Sequence, residues 1–383
     1  MKICAIICEY NPFHNGHKYL LSEAKKRSKA DALLCIMSGN FVQRGEAAIL
    51  EKHIRAKHAV LCGADAVIEL PTVFATSNAE IFARGAISIL SKIPNVTHLA
   101  FGAETADKQL FLDSAKALIK EPEIVSKNVK KLTKSGMGYA QAISLARSEI
   151  TGAQLFDSPN NILGIEYTKA ILSADANIEV LPIQRIGSGY NDIEIVDNFP
   201  SATAIRNALK NQNTKNLSIA LPECVVKDLA LAKELDLDVF EKVSILSTPT
   251  QELAAVLDCT EGLENAFQSA ATNSAQLIDT LSSPRYTNAR IRRIALHNLL
   301  GIREDFIRKC LDSPLYIHPL AYKAERKDLL SALSKATIPF IATGKEKRAL
   351  SGAAKLCLAA DEHAEKIYSA ISSKPFENRT ILI

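Results

Sequence analysis

Apolar residues follow two rhythms along this chain, and its first half alternates between them. Short runs rich in β-branched residues, "KICAIIC", "ALLCIMS", "ADAVIELP", "THLAFGA" and "IEVLPIQRI", read as strands. Between them "HKYLLSEAKKRS", "EKHIRAKHAVLCG", "AEIFARGAISILSKI" and "NNILGIEYTKAILSA" repeat apolar positions every three or four residues and read as helices. Strand, helix, strand in succession from Lys2 to about Leu209 predicts an α/β, doubly wound, Rossmann-like parallel sheet. A charged helical stretch from about 105 to 150, which begins "ADKQLFLDSAKALIKEPEIVSKNVKKL", interrupts the alternation as a helical insertion.

The polar run "KNQNTKN", 210–216, offers no core face and marks the expected boundary between a domain of residues 1–210 and one of residues 211–383. Beyond it helices dominate: "PECVVKDLALAKEL", "TQELAAVLDC", "GLENAFQSAATNSAQLIDTL", "NARIRRIALHNLLG" and "KLCLAADEHAEKIYSAI". A short strand pair is expected at "PLYIHPLAY" and "ATIPFIATG".

Composition adds scale to this outline. With 383 residues, 47% apolar and 23% charged, the chain is long enough for two sizeable cores. A net charge of +4 permits an anionic partner without demanding one. Cys4, Cys8, Cys35, Cys62, Cys224, Cys259, Cys310 and Cys357 include no CxxC pair and no zinc spacing, so they read as buried thiols in a reducing compartment. The opening apolar run is too short to span a bilayer and no small-residue cleavage site comes after it, which predicts a cytoplasmic protein without a membrane association.

Chemistry concentrates in "ICEYNPFHNGHKYLL", where a strand ends in two histidines three apart just before a helix. Ligands of open α/β sheets bind at the carboxyl ends of the strands, and a helix N-terminus there offers unpaired N–H groups to phosphate. Pro12 stiffens the turn and Gly16 lets backbone approach a ligand. His14 and His17 project from one helical turn and can donate to phosphate oxygens. A second stretch, "FPSATAIR", is suited to the same ligand, with Ser201 as a helix cap and with Thr203 and Arg206 facing the same way three apart.

"NPFHNGH" resembles the HIGH-type signature of the nucleotidyltransferase superfamily, with His14, Asn15, Gly16 and His17 in the four signature places, and "FPSATAIR" resembles its serine and threonine stretch ending in arginine. More closely, "EYNPFHNGHKYLL", "MSGNFVQRGEAAILEKHIRAKHAVLCGADAVIELP", "FGAE", "SPNNILGIEY", "LPIQRIGSGYND", "PSATAIR" and "SPRYTNARIRR" are similar to the bacterial tRNA(Met) cytidine acetate ligase family, from residue 2 to about 305. The resemblance implies a nucleotidyltransferase domain of the HUP class followed by a mainly helical, tRNA-binding C-terminal domain. It implies ATP contacts from Ile7, Cys8, Glu9, Tyr10, Asn11, Pro12, Phe13, His14, Asn15, Gly16, His17, Lys18, Tyr19 and Leu20, and from Gly102, Asn161 or its neighbour Asn160, and Arg185. A plainer reading takes Gly102 as a turn and Asn160 as a helix cap.

The implied reaction joins acetate to AMP from ATP, releases pyrophosphate, and passes the acetyl group to N4 of the wobble cytidine of elongator tRNA(Met). In it His14 and His17 stabilise phosphate charge, Thr203, Arg206 and Arg185 hold the polyphosphate, and magnesium accompanies ATP with no dedicated protein metal site. Gln43 or Arg44 is a candidate for receiving acetate. In "SPRYTNARIRR", Arg285, Arg290, Arg292 and Arg293 lie close together with no acid among them and Tyr286 can stack on an unpaired base, so this segment is expected to contact RNA. No segment calls for a stable protein partner. Two other readings remain open: a small-molecule adenylyltransferase on the same fold, and a non-catalytic nucleotide- or RNA-binding protein.

Overall fold

The structure, a computed structural model, describes residues 1–119, 123–152, 155–187, 198–213, 216–373 and 380–383. Ser188 onward in "LPIQRIGSGYND", two residues of "KNQNTKN" and residues 120–122 of the expected insertion lie outside the described residues.

All five expected strands form: β1 Ile3–Cys8, β2 Ala32–Ser38, β5 Ala66–Leu70, β6 Val96–Ala103 and β7 Glu179–Gln184. A two-residue pair, β3 Phe41–Val42 and β4 Glu46–Ala47, makes a small antiparallel hairpin after β2. The main sheet runs β7-β6-β1-β2-β5-β8-β9. Pairings within β7-β6-β1-β2-β5 are parallel. The strands are buried nearly end to end, as sheets covered on both faces require: Ile3, Ala5 and Ile7 of β1 enter one core and Cys4 and Ile6 the other.

From β1 the chain steps outward through β2 to β5, then returns to the opposite side of β1 for β6 and β7. The strand order therefore reverses between β1 and β6, and the crevice outside their carboxyl ends is the ligand position of such sheets. Helix α1, Asn15–Ser28, follows β1, and α2, Lys52–Leu61, follows the hairpin.

The expected strand pair in the second half forms differently. β8, Pro319–Tyr322, pairs antiparallel with β5, and β9, Ile381–Leu382, pairs parallel with β8. Between "PLYIHPLAY" and "ATIPFIATG" only a single bridge, Ile317 to Phe340, is present among the described residues. The apolar pattern shows a strand but not its partner, and the open edge of β5 takes it. Residues after 210 thus divide in three: a first stretch whose Leu217, Leu221 and Val225 join the core of Cys4 and Ile6, a helical bundle with its own core, including Ile245, Leu253, Phe267, Ile291 and Ile294, and later elements packed on the sheet through Leu329, Cys357 and Tyr368.

In the interrupting segment, helices Lys108–Ile119, Glu123–Lys134 and Tyr139–Thr151 are present. All eight cysteines are free thiols. Among the described residues no helix is long and apolar enough to cross a membrane.

Lys52, at the start of α2, is buried between Glu69 of β5 at 2.8 Å and Glu365 of the long helix Gly352–Ser372 at 2.5 Å. Asn40 also donates to Glu365 at 3.3 Å, and the Tyr368 hydroxyl donates to the Ala48 carbonyl at 3.0 Å. The late helix thereby braces the hairpin and the start of α2. A buried charge left without its counter-ion is costly, so the pairing is specific.

Candidate active site

At the end of β1 the chain turns sharply, and His14 becomes the N-cap of α1. Its Nδ1 accepts the Gly16 N–H at 3.0 Å, while His17 Nδ1 accepts the His14 N–H at 3.3 Å. Each ring thus satisfies a backbone donor that the helix start leaves unpaired. The rings stack, centroids 3.7 Å apart. A Cβ on Gly16 would come within 2.8 Å of the His14 ring, so the cap geometry needs glycine there.

This arrangement fixes the histidines' chemistry. Burial, then the neighbouring Arg185 charge, pushes the His14 pKa down to about 3. Burial, then His14 and Arg185, pushes His17 well below the ordinary value. Both are neutral at physiological pH, and since each Nδ1 accepts a hydrogen bond, the ring proton sits on Nε2. Two neutral N–H donors therefore belong to the same crevice.

Around them the crevice is lined by residues from widely separated places in the sequence. From the first motif come Ile7, Cys8, Glu9, Tyr10, Asn11, Tyr19 and Leu20. Pro12, Phe13, Asn15 and Lys18 do not line it: Phe13 is core, and Asn15 donates to the Ile219 carbonyl at 2.7 Å. The β6 and β7 ends supply Gly102 and Arg185; these strands pair in register, and Arg185 faces Glu104 at 3.4 Å. The "FPSATAIR" segment supplies Phe199, Ser201, Thr203 and Arg206. Ser201 caps the helix Ala202–Lys210 as expected, and Arg206 donates to the Asn11 carbonyl at 2.9 Å and to Thr203 Oγ1 at 3.3 Å.

Of the two asparagines, Asn160 lines the crevice and donates to Glu104 at 2.6 Å. Asn161 is buried behind it, accepting the Glu104 and Thr105 N–H groups at 3.0 and 3.3 Å. Neither is the helix cap; Ser158 holds that position in the helix Pro159–Ser173.

Sequence reading left the wall formed by the hairpin half assigned. The β3–β4 hairpin brings Gln43, Arg44 and Glu46 into the lining, and the Gln43 N–H donates to Glu9 Oε1 at 2.8 Å. Arg55 of α2, unremarked in the sequence, is fully buried and donates to the carbonyls of Glu9, Ser38, Gly39 and Leu50, tying together the loops after β1 and β2. A lone arginine within a helix pattern gives no sign of such a role.

The arginine-rich segment lies on the helical bundle, with Arg290, Arg292 and Arg293 on the helix Asn288–Leu299. Arg285 is exposed and pairs with Glu261 at 2.9 Å, and the Tyr286 hydroxyl donates to the same carboxylate at 3.3 Å. Arg290 donates to the Asp258 carbonyl at 2.7 Å and stacks over the Tyr286 ring, 5.2 Å from its centroid. Arg292 pairs with Glu46 of the hairpin, and Arg293 is turned inward toward Asp258 at 3.8 Å. Hence Arg285, Tyr286 and Arg290 share a face, while Arg292 reaches the hairpin and Arg293 turns inward toward Asp258. No acid is local in sequence, yet three approach in space. Gly45, at φ +75°, seats the hairpin tip on that helix: a Cβ there would lie 2.6 Å from the Arg292 and Arg293 backbone.

Comparison with known proteins agrees with this site. A model of the HIGH Nucleotidyl Transferase family matches residues 1–380. The chain is 38% identical over 355 residues to the tRNA(Met) cytidine acetate ligase of Caldanaerobacter subterraneus subsp. tengcongensis, covering 89% of this chain and 88% of the relative. It is 37% identical over 366 residues to the protein of the same name from Acetivibrio thermocellus, with 89% and 88% covered. This chain belongs to the tRNA(Met) cytidine acetate ligase family. Its fold is similar to the apo crystal structure of Thermotoga maritima TmcAL, with a TM-score of 0.90, 28% identity and all of both chains covered. The same Thermotoga protein bound with alpha-thio ATP is similar at a TM-score of 0.85 and 28% identity, with 97% of this chain and 95% of that one covered. Family membership thus agrees with the sequence resemblance and with the fold expected from it.

Proposed function

We propose that the protein is an ATP-dependent acetate ligase that forms acetyl-AMP and pyrophosphate, then acetylates N4 of the wobble cytidine of elongator tRNA(Met). The observation that carries the reading is the pair of neutral histidines, both proton-bearing at Nε2, at the N-terminus of α1 beside the strand-order reversal. Donors of that kind stabilise charge that shifts among phosphate oxygens while acetate attacks the α phosphorus and pyrophosphate leaves. Neutral rings suit this chemistry because they need no counter-ion when the site is empty.

Arg206, Thr203 and Arg185 hold the polyphosphate, and the apolar walls around Tyr19, Phe199 and Phe101 receive the base. Gln43 and Arg44 on the hairpin face the acetate. Magnesium enters on the phosphates of ATP. Arg285, Tyr286 and Arg290 form the RNA contact, through phosphate pairing and stacking. The working place of such an enzyme is the cytoplasm.

Incubation of the protein with ATP, labelled acetate and bulk bacterial tRNA tests this reading. Label is expected in N4-acetylcytidine of elongator tRNA(Met), with AMP and pyrophosphate formed in step. Turnover of ATP with a phosphorylated metabolite but not with acetate would favour a small-molecule adenylyltransferase, and no turnover a binding protein.

A further inference from the structure

Acetyl transfer to cytidine sheds a proton that adenylation does not. The exocyclic N4 amine is a weak nucleophile, because its lone pair is delocalised into the ring, and it becomes cationic as it attacks a carbonyl. A group positioned to take that proton gives the step its rate.

Most titratable groups lining the crevice are already engaged. His14 and His17 spend Nδ1 on the helix cap and bear their protons at Nε2, so they donate. Cys8, Tyr10 and Tyr167 are held protonated, their pKa values pushed up by burial. Arg44, Arg185 and Arg206 are cations. Glu46 is paired with Arg292.

Glu9 is left. It follows β1 at the point where the strand order reverses, is half-buried, and is anchored through Oε1 by the Gln43 N–H at 2.8 Å. Among the described residues that is the hydrogen bond its carboxylate makes, so Oε2 has none.

We propose that Glu9 is the general base of acetyl transfer, receiving the N4 proton of the target cytidine; this rests on the ligase reading above. The N4 lone pair forms the N–C bond to the acetyl carbon, the carbonyl electrons move to oxygen, and their return breaks the C–O bond to AMP. AMP departs with that bonding pair, and the N4 proton passes to Glu9 and then to solvent. Groups facing the carboxylate are Arg44 of the hairpin, Arg55 of α2, Arg206 of the helix Ala202–Lys210 and Tyr167 of the helix Pro159–Ser173. Burial raises the Glu9 pKa, opposed by the Gln43 N–H and the three arginines, which makes it a stronger base than an exposed carboxylate.

The test is Glu9→Gln, which keeps an oxygen for the Gln43 N–H and removes the basic site. Single-turnover transfer from preformed acetyl-AMP to elongator tRNA(Met) is expected to fall about 10²-fold or more. Acetate-dependent pyrophosphate exchange, whose ATP shares the crevice with Glu9, is expected to fall by a smaller factor than transfer does. Transfer near the wild-type rate overturns the proposal in favour of the departing phosphate as base, and an equal fall in both steps overturns it in favour of a binding role. Should the variant not fold, wild-type transfer from acetyl-AMP decides: the rate should rise with pH and then level, whereas a rate independent of pH from about 5 to 8 overturns the proposal. A wild-type protein that performs neither step removes the ligase reading and Glu9 with it; one that performs both, with an equally active variant, removes Glu9 alone.

Discussion

The crevice and the arginine-rich segment both look cationic in the sequence, but the fold partners their arginines differently. In the crevice, Arg206 donates to a carbonyl and a hydroxyl, neither of them charged, while Arg185 faces Glu104 at 3.4 Å. On the bundle, Arg285, Arg292 and Arg293 each meet a carboxylate brought from elsewhere in the chain. A cation that already has an anion must exchange it to bind a phosphate, and the gain is correspondingly small. Charge in a sequence window therefore measures supply, and the fold decides how much stays available.

The largest effect expected from that contrast is at the histidines. His14→Ala and His17→Ala should each keep the fold, by circular dichroism, and lose about 10²-fold or more of acetate-dependent pyrophosphate exchange. Each also removes half of the cap at the start of α1, worth about 1 kcal/mol of stability. Exchange at the wild-type rate in both variants would reduce the crevice to a binding groove.

Next comes the bundle. Arg285→Ala with Arg290→Ala should weaken tRNA binding and lower its log–log salt slope by about 0.7 to 0.9 for each phosphate no longer neutralised. Acetate-dependent exchange without tRNA should continue. Arg293→Ala should instead lower stability, as its side chain is turned inward toward Asp258. A salt slope that responds to Arg293 and ignores Arg285 and Arg290 would reverse the division made between the exposed and inward-turned arginines of that segment.

Gly45→Ala probes the seam between the regions. The added Cβ meets backbone, and φ is +75°, so the hairpin must lift from the helix. About 1–3 kcal/mol of destabilisation is expected in a denaturant titration, with tRNA acetylation falling more than exchange. An unaltered midpoint would mean the seam carries no strain.

The smallest signal is in the titration of the rings themselves. With the His14 pKa pushed to about 3 and His17 also lowered, their NMR resonances should hold still from pH 8 to about 5. An unfolded imidazole binds its proton near 6.5. Below that value the unfolded chain takes up protons that the folded one refuses, so the contribution of these two groups to stability is complete above pH 6.5 and is lost as the pH falls toward 3. Resonances moving with a midpoint near 6.5 would show charged donors instead.

What could be read in the sequence was local. Strands β1, β2, β5, β6 and β7 announced themselves because a doubly covered strand is apolar throughout. The histidine pair was legible because a helix start and both rings lie within one turn. Illegible were relations spanning the chain: β8 against β5, Glu46 against Arg292, Arg55 beneath the loops, and the carboxylate of Glu9 set apart by the engagements of its neighbours. Each needs two distant segments, and no window of residues contains both.

The antiparallel strand from the far end of the chain also has a practical meaning. β5 is buried at all five positions, and Ala66, Val67 and Ile68 pair with β8 residues about 250 places away. A fragment cut near Lys210, made to isolate the activating chemistry, would display that apolar ladder as a naked rim and strip Lys52 of Glu365. Such a fragment should stick to its own kind before it meets ATP, so the two half-reactions are better separated by substitution than by scissors.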